Sequence, residues 1–253
     1  MLTRRKFAIG CGAFASSAVL DAPLGFTDSA TADTALPIPK LVDAAKQGNA
    51  VHLKAMSGRH AFIEGKPTGT YGYSASVLGP VMRVRRGDEV QVTVENTLDT
   101  VTTVHWHGLL TPGYNDGGPQ QLIRPSNSGL CASRPQASAH TDMPALIGIN
   151  GRAFDPARID VETKLGTTEI WEITSIGMAH PFHVHGALFR ILSIEGASPP
   201  AHLTGWKDTV LVEDKAELLV AFNQPATREH PFMYHCHILE HEDAGLMGQY
   251  VCA

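Results

Sequence analysis

Phe232-Met233-Tyr234-His235-Cys236-His237-Ile238-Leu239-Glu240-His241-Glu242-Asp243 is the stretch whose reading decides the fold. Phe232 to His237 has strand character, and successive side chains on a strand point to opposite faces. Cys236 therefore faces one way while His235 and His237 face the other. One strand can hold a metal on one side through a thiolate and a metal cluster on the other through imidazoles. The path between the two sites is only a residue long, which suits electron transfer. A soft thiolate with two imidazoles in a trigonal set favours a blue-copper site. His180 and His241 are the imidazoles assigned to join Cys236.

Two further clusters stand upstream, His105-Trp106-His107-Gly108 and His180-Pro181-Phe182-His183-Val184-His185. On strands, the i, i+2 pairs His105/His107 and His183/His185 would each project from one face. Imidazole clusters without carboxylate suit copper, with zinc as the main competitor. A lone His-x-His says little, but three such pairs in one short chain, one of them split by cysteine, are specific.

Around these motifs the chain reads as strands. Val81 to Val94 suggests two strands around an Arg-Gly-Asp turn. Thr168 to Thr174, Leu188 to Glu195, Asp208 to Glu213 and Leu218 to Asn223 are further short strands, separated by Gly, Pro, Asn and Asp. No long segment has helical period, and the pattern argues for all-β sandwiches. Blocks from about Thr34 to Arg124 and from Ile147 onward flank a seam rich in Ser, Pro, Ala and Gly. The expected division is a leader over 1–32, a partial first domain over 33–124, a linker over 125–146 and a complete last domain over 147–253.

The 253 residues are 43% hydrophobic and 18% charged, enough apolar material for a real core. The net charge of −5, with basic residues massed only at the start, speaks against nucleic acid as a partner. That start, Thr3-Arg4-Arg5-Lys6-Phe7, precedes a small, apolar stretch to Leu20, the pattern of a secretory signal. Its paired arginines resemble a twin-arginine signal, which exports folded proteins and implies a periplasmic location. Roughly 14 apolar residues are too few to span a bilayer, so membrane insertion is not expected. Ala30-Thr31-Ala32 is a plausible cleavage site. Of the four cysteines, Cys11 lies in this leader and Cys236 reads as a ligand; Cys131 and Cys252 form a pair or remain thiols.

These motifs together resemble the multicopper oxidases, specifically the bacterial laccase and copper-efflux type. Ile149-Asn150-Gly151-Arg152-Ala153-Phe154 through Ala253 resembles that family's last cupredoxin domain, including Gly205-Trp206-Lys207-Asp208 and His235 to Asp243. Leu78-Gly79-Pro80 to Pro119 resembles the front of its first domain, with Asp116-Gly117-Gly118-Pro119. The resemblance implies Greek-key cupredoxin sandwiches, one partial and one complete. It implies His180, Cys236 and His241 as type 1 copper ligands, His105 and His183 as the type 2 pair, and His107, His185, His235 and His237 as type 3 ligands. Asp116 and Glu242 match acidic residues linked to proton delivery. The axial type 1 position falls on Leu246, which cannot coordinate; a register slip of one would bring Met247 instead.

The same family uses four His-x-His pairs for its trinuclear cluster, and this chain has three. The second pair of the first domain and the middle domain are missing. His140, in the seam, is the positional substitute. Relatives with two domains assemble their cluster across subunits, which leaves room for a homo-oligomer. The first block also lacks closing strands, which leaves a sheet edge uncovered; an internally deleted remnant is a further reading. The expected activity is one-electron oxidation of a small phenolic, amine or cuprous donor, with dioxygen as acceptor. The methionines do not cluster, and only Met178 precedes His180, which weakens the cuprous reading. The alternatives are an electron-transfer cupredoxin that binds copper without turnover and, less favoured, a copper nitrite reductase.

Overall fold

The computed structural model describes residues 3–11, 38–126 and 147–253. In chain order the strands are β1 (Thr3–Cys11), β2 (Leu41–Asp43), β3 (Ala50–Ile63), β4 (Lys66–Tyr73), β5 (Val81–Arg83), β6 (Gln91–Asn96), β7 (Ile147–Ile149) and β8 (Val161–Thr163). They continue as β9 (Thr167–Ile176), β10 (His180–Val184), β11 (Leu188–Ile194), β12 (Trp206–Lys207), β13 (Thr209–Val212), β14 (Lys215–Phe222), β15 (Phe232–Cys236) and β16 (Met247–Cys252). The one α-helix among the described residues is a single turn, α1 (Leu239–Asp243). No helix among them is long and apolar enough to cross a membrane.

The chain forms two compact units. The described residues of the larger are 3–11, 103–122 and 147–253; those of the smaller are 38–102 and 123–126. A division at residue 124 therefore does not follow the packing. The segment that carries His105, His107 and Asp116 belongs with the C-terminal residues, because its contacts lie there: the Gly113 amide donates to Pro225 O and Gln120 Nε2 to Gln249 Oε1.

The larger unit is a β-sandwich. One sheet has the order β12-β11-β14-β9-β1-β7 and the other β13-β10-β15-β16-β8. Alternation explains its core. In β9, Glu169, Trp171, Ile173 and Ser175 are buried while their neighbours are not, and β14 buries Ala216, Leu218 and Val220 against them. Trp171, Phe182 and Tyr234 pack at the centre with ring centroids 5.7–6.5 Å apart, in tilted and edge-on arrangements typical of aromatic cores. Ile173 is fully buried here. Ile173→Val should cost about 0.5–1.5 kcal/mol, read as a lower urea midpoint with an unchanged slope.

Residues 3–11, where a leader is expected to begin, form strand β1, inserted in the larger sheet, where the alternating Phe7 and Ile9 find an apolar floor. Two expectations need correction. The two strands within Val81 to Val94 form, but not as partners: β5 pairs with β2, and β6 runs parallel to β3. His105 to His107 lie on no strand; they occupy an extended loop that turns at His107-Gly108.

In the smaller unit, β4-β3-β6 make one sheet and β2-β5 another. Phe62, Tyr71 and Leu78 stand exposed in this unit.

Candidate metal centre

Strand alternation sorts the ligand-type side chains of the larger unit. Phe182 registers with Cys236 across β10 and β15, and His183 with His235. Phe182, Tyr234 and Cys236 belong to the sandwich core. His183 and His235 consequently point to the opposite face of that sheet, the face covered by Thr103–Leu122.

On the core side, His180 Nδ1 lies 3.4 Å from Cys236 Sγ and His241 Nδ1 lies 3.5 Å from it. His180 and Cys236 are fully buried, whereas His241, on α1, is partly exposed. With metal–ligand lengths of about 2.0–2.3 Å, a trigonal set has edges of roughly 3.5–4 Å, so these donors fit one ion. The Ile238 amide donates to the sulfur at 3.5 Å. Leu246 is fully buried, and its carbonyl accepts the Cys236 amide at 3.0 Å. Met247 registers with His235 and so lies on the face away from the thiol.

On the other face six imidazoles meet in three facing pairs. His105 Nε2 and His183 Nε2 are 3.3 Å apart, His185 Nε2 and His235 Nε2 are 3.1 Å apart, and His107 Nδ1 and His237 Nε2 are 3.3 Å apart. Five of the six are anchored through their other nitrogen. Nδ1 of His105 donates to Asp116 O (2.9 Å), that of His183 to Asp208 O (2.9 Å), and that of His235 to Cys236 O (2.9 Å). His185 Nδ1 meets Asp116 Oδ2 at 2.7 Å, and His107 Nε2 meets Asp208 Oδ2 at 3.2 Å. A proton held outward leaves the inward nitrogen as a lone pair, which is how metal-binding imidazoles are oriented.

Burial sets their charge. It pushes His183 far below the ordinary imidazole range, helped by His185, His235 and His107. It holds His235 down at about 3, with His185 adding to the effect. It holds His185 at about 4 despite the bond to Asp116. His107 and His180 are lowered by burial too. His105 differs: burial opposes its proton, but the bonds to Asp116 prevail and raise it. Asp116, itself 1% exposed, feels burial upward, yet His105 and His185 bring it below the usual carboxylate range. A neutral imidazole has no proton to lose before it binds a metal. Glu242 Oε2 stands 3.5 Å from His235 Nδ1, with burial raising its pKa.

Every expected ligand among the described residues is thus brought to one of these two places. His140 and Cys131 lie outside the described residues; Cys252 is buried, with burial raising its thiol. Asp208 carried no expected role, yet it anchors His183 through its carbonyl and His107 through its carboxylate. Its place in Gly205-Trp206-Lys207-Asp208 was the only signal. Gly117 was quoted as part of a motif, and its function is spatial. At φ 73° it passes so close to Val104 that a Cβ would sit 1.9 Å from Val104 O.

Known proteins share this arrangement. Multicopper oxidase sequence profiles match residues 125–253 and 55–141. The multicopper oxidase mco of Staphylococcus haemolyticus (strain JCSC1435) is 47% identical over 110 residues, covering 41% of this chain and 24% of that protein. The cell division protein FtsP of Dickeya dadantii (strain 3937) is 36% identical over 182 residues, covering 72% of this chain and 37% of that protein. The chain therefore spans well under half the length of these two relatives. The solved structure of a laccase-like multicopper oxidase CueO from Ochrobactrum sp. shares the fold, with a TM-score of 0.77, 24% identity, and coverage of 87% of this chain and 100% of that one. The donor sets, the sandwich and a profile match over half the sequence place the chain in the multicopper oxidase family.

Proposed function

We propose that the chain is an exported, copper-dependent oxidoreductase that takes single electrons from a small phenolic, amine or cuprous donor and passes them toward dioxygen. Copper bound at these donor sets supplies one-electron redox chemistry. In this reading His180, Cys236 and His241 would hold the type 1 ion, and Leu246, which cannot coordinate, would take the place of a fourth donor. His105 and His183 hold type 2, and the pairs His185/His235 and His107/His237 hold the two type 3 ions. The observation that carries the reading is the position of Cys236. Its sulfur belongs to one donor set, while its neighbours His235 and His237 belong to two separate pairs of the other. Its carbonyl also accepts from His235 Nδ1 at 2.9 Å, which adds a hydrogen-bonded shortcut to the covalent path.

The protein's own groups orient and exclude. The sheet keeps Cys236 from water, and Asp116 and Asp208 aim four of the six imidazoles. Reduction of dioxygen to two waters consumes four electrons and four protons. Asp116 Oδ2 beside His185 and Glu242 Oε2 beside His235 are the carboxylates placed to deliver those protons. Each type 3 pair offers two imidazoles where the family supplies three, so four-electron turnover is expected to be crippled unless His140 or another group completes the set.

Copper stoichiometry with visible and near-ultraviolet spectra, alongside oxygen uptake, tests this. A thiolate–copper band with slow oxygen uptake is expected; four coppers with normal turnover would remove the claim of impairment. Absence of the band would remove the type 1 assignment. Leu246→Met should lower the reduction potential of that site by adding an axial donor, measured by redox titration of the band; an unchanged potential would mean that residue 246 is not axial.

The two-imidazole pairs also favour a second reading, a copper-binding electron-transfer protein without oxygen turnover. A role in cell division is compatible with it, since the cell division protein FtsP of Dickeya dadantii matches 72% of this chain. A copper nitrite reductase is disfavoured, because His235 and His237 serve two different pairs; nitrite turnover would reverse that. The exposed apolar side chains of the smaller unit fit a homo-oligomer.

A further inference from the structure

The strand order places β1 between β9 and β7. It runs parallel to β9 from Thr3↔Glu169 to Gly10↔Ile176 and antiparallel to β7 from Ile9↔Ile149 onward. Side chains alternate as a genuine core strand requires. Phe7 is 3% and Ile9 0% exposed, and the Phe7 ring lies 4.6 Å from Trp171 and 5.3 Å from Tyr234. The basic residues meet an acidic lip. Arg4 pairs with Glu217 at 2.8 Å, Lys6 with Glu172 at 3.4 Å, and Arg5 with the buried Glu169 at 2.6 Å. Asn150 clamps the middle, accepting the Ala8 amide on Oδ1 and donating its own amide to Ala8 O, both at 2.8 Å. At Gly10 a Cβ would fall 2.6 Å from Ile176 Cβ, so that position admits no side chain.

This is a groove with a sequence preference: three cations, an aromatic ring, a branched aliphatic chain and a glycine, in extended register. Adding a strand to a sheet is a common mode of peptide capture, in which the backbone supplies affinity and alternate pockets supply specificity. We propose that the larger unit carries a strand-accepting slot between β9 and β7, and that its occupant is this chain's own Arg4-Arg5 segment. The two arginines that an export system would read are then tied to Glu217 and Glu169. Filling the slot and presenting the signal compete for the same residues. The competition, though not the slot, rests on the export reading above.

The partners of the segment can be altered without touching the segment. In full-length protein held in the cytoplasm, amides of 3–11 should exchange about 100-fold or more slowly than in an unstructured peptide, as in a packed strand. Glu217→Ala, and separately Glu169→Ala, should speed that exchange at least about tenfold while β10 and β15 stay protected, since local opening is governed by local contacts. In exporting cells the same variants should raise the fraction of processed chain. Exchange of 3–11 at the unstructured rate in the unaltered protein would overturn the slot, as would acidic-lip variants that leave exchange unchanged. Protection of 3–11 in a chain that is never processed, in any variant, would overturn the competition and the export reading together while leaving the slot supported.

Discussion

Cys236→Ser abolishes the visible absorption of the copper-loaded protein and lowers its copper content by one, while the sandwich stays folded. The Cys236 sulfur, a soft donor, lies 3.4 and 3.5 Å from His180 Nδ1 and His241 Nδ1. A serine hydroxyl does not ionise near neutral pH, so it replaces neither the charge nor the polarisability that selects copper there. Loss of a direct donor exceeds the 10–100-fold fall in affinity typical of losing an outer partner. Oxygen uptake falls with it, because the entry point for electrons is gone. The fold survives because Cys236 sits within a five-stranded sheet whose backbone bonds are untouched; the buried hydroxyl costs about 1–3 kcal/mol. Absorption spectra, metal analysis and urea unfolding give the three readouts. A variant that keeps its band would show that the sulfur is not the chromophore's ligand.

Gly117→Val does the opposite damage. The visible band persists and the imidazole pairs lose metal. At φ 73° a branched residue is strained by about 1–3 kcal/mol. The added Cβ would also sit 1.9 Å from Val104 O and 3.0 Å from the His105 amide nitrogen, contacts that only backbone movement relieves. Forced repacking costs about 1–3 kcal/mol more. The movement displaces Asp116 and His105 together, so the anchors of His105 and His185 fail at once. Expected results are a loss of two or more coppers, a stability loss of roughly 2–6 kcal/mol by urea unfolding, and near-complete loss of oxygen uptake. Full copper content in this variant would show that the loop does not position the cluster.

Much of this architecture was legible because burial and alternation coincide. Thr168 to Thr174, Leu188 to Glu195, Asp208 to Glu213, Leu218 to Asn223 and Phe232 to His237 all fall on β9, β11, β13, β14 and β15, where one face is apolar and the other polar. His235-Cys236-His237 was legible for the same reason: period two alone separates its sulfur from its rings. β3 and β4 escaped because their mutually paired ends are largely exposed and carry Gly, Lys and Thr, although Val51, Leu53 and Ala55 alternate onto a buried face at the start of β3. β1 escaped because a basic head before an apolar run reads first as a leader; the acidic residues that pair with it as a strand, Glu169, Glu172 and Glu217, stand far along the chain. The anchoring by Asp208 was invisible because a carbonyl bond to His183 leaves no mark on residue identity. His105 and His107 share a face without a ladder, held by Asp116 and Asp208 instead of by neighbouring strands.

The facing imidazoles have a topological meaning as well. His105 and His183 are 78 residues apart in the chain, and His107 and His237 are 130 apart. An ion bridging either pair closes a long loop, as a disulfide would. Cross-links of that span restrict the unfolded chain, and their contribution grows slowly with loop length, reaching about 4–5 kcal/mol near a hundred residues in the chain-entropy account. Chelation would therefore loosen the attachment of Thr103–Leu122 to the sandwich, and the proposed metal centre would at the same time be the rivet that fastens one chain segment to another.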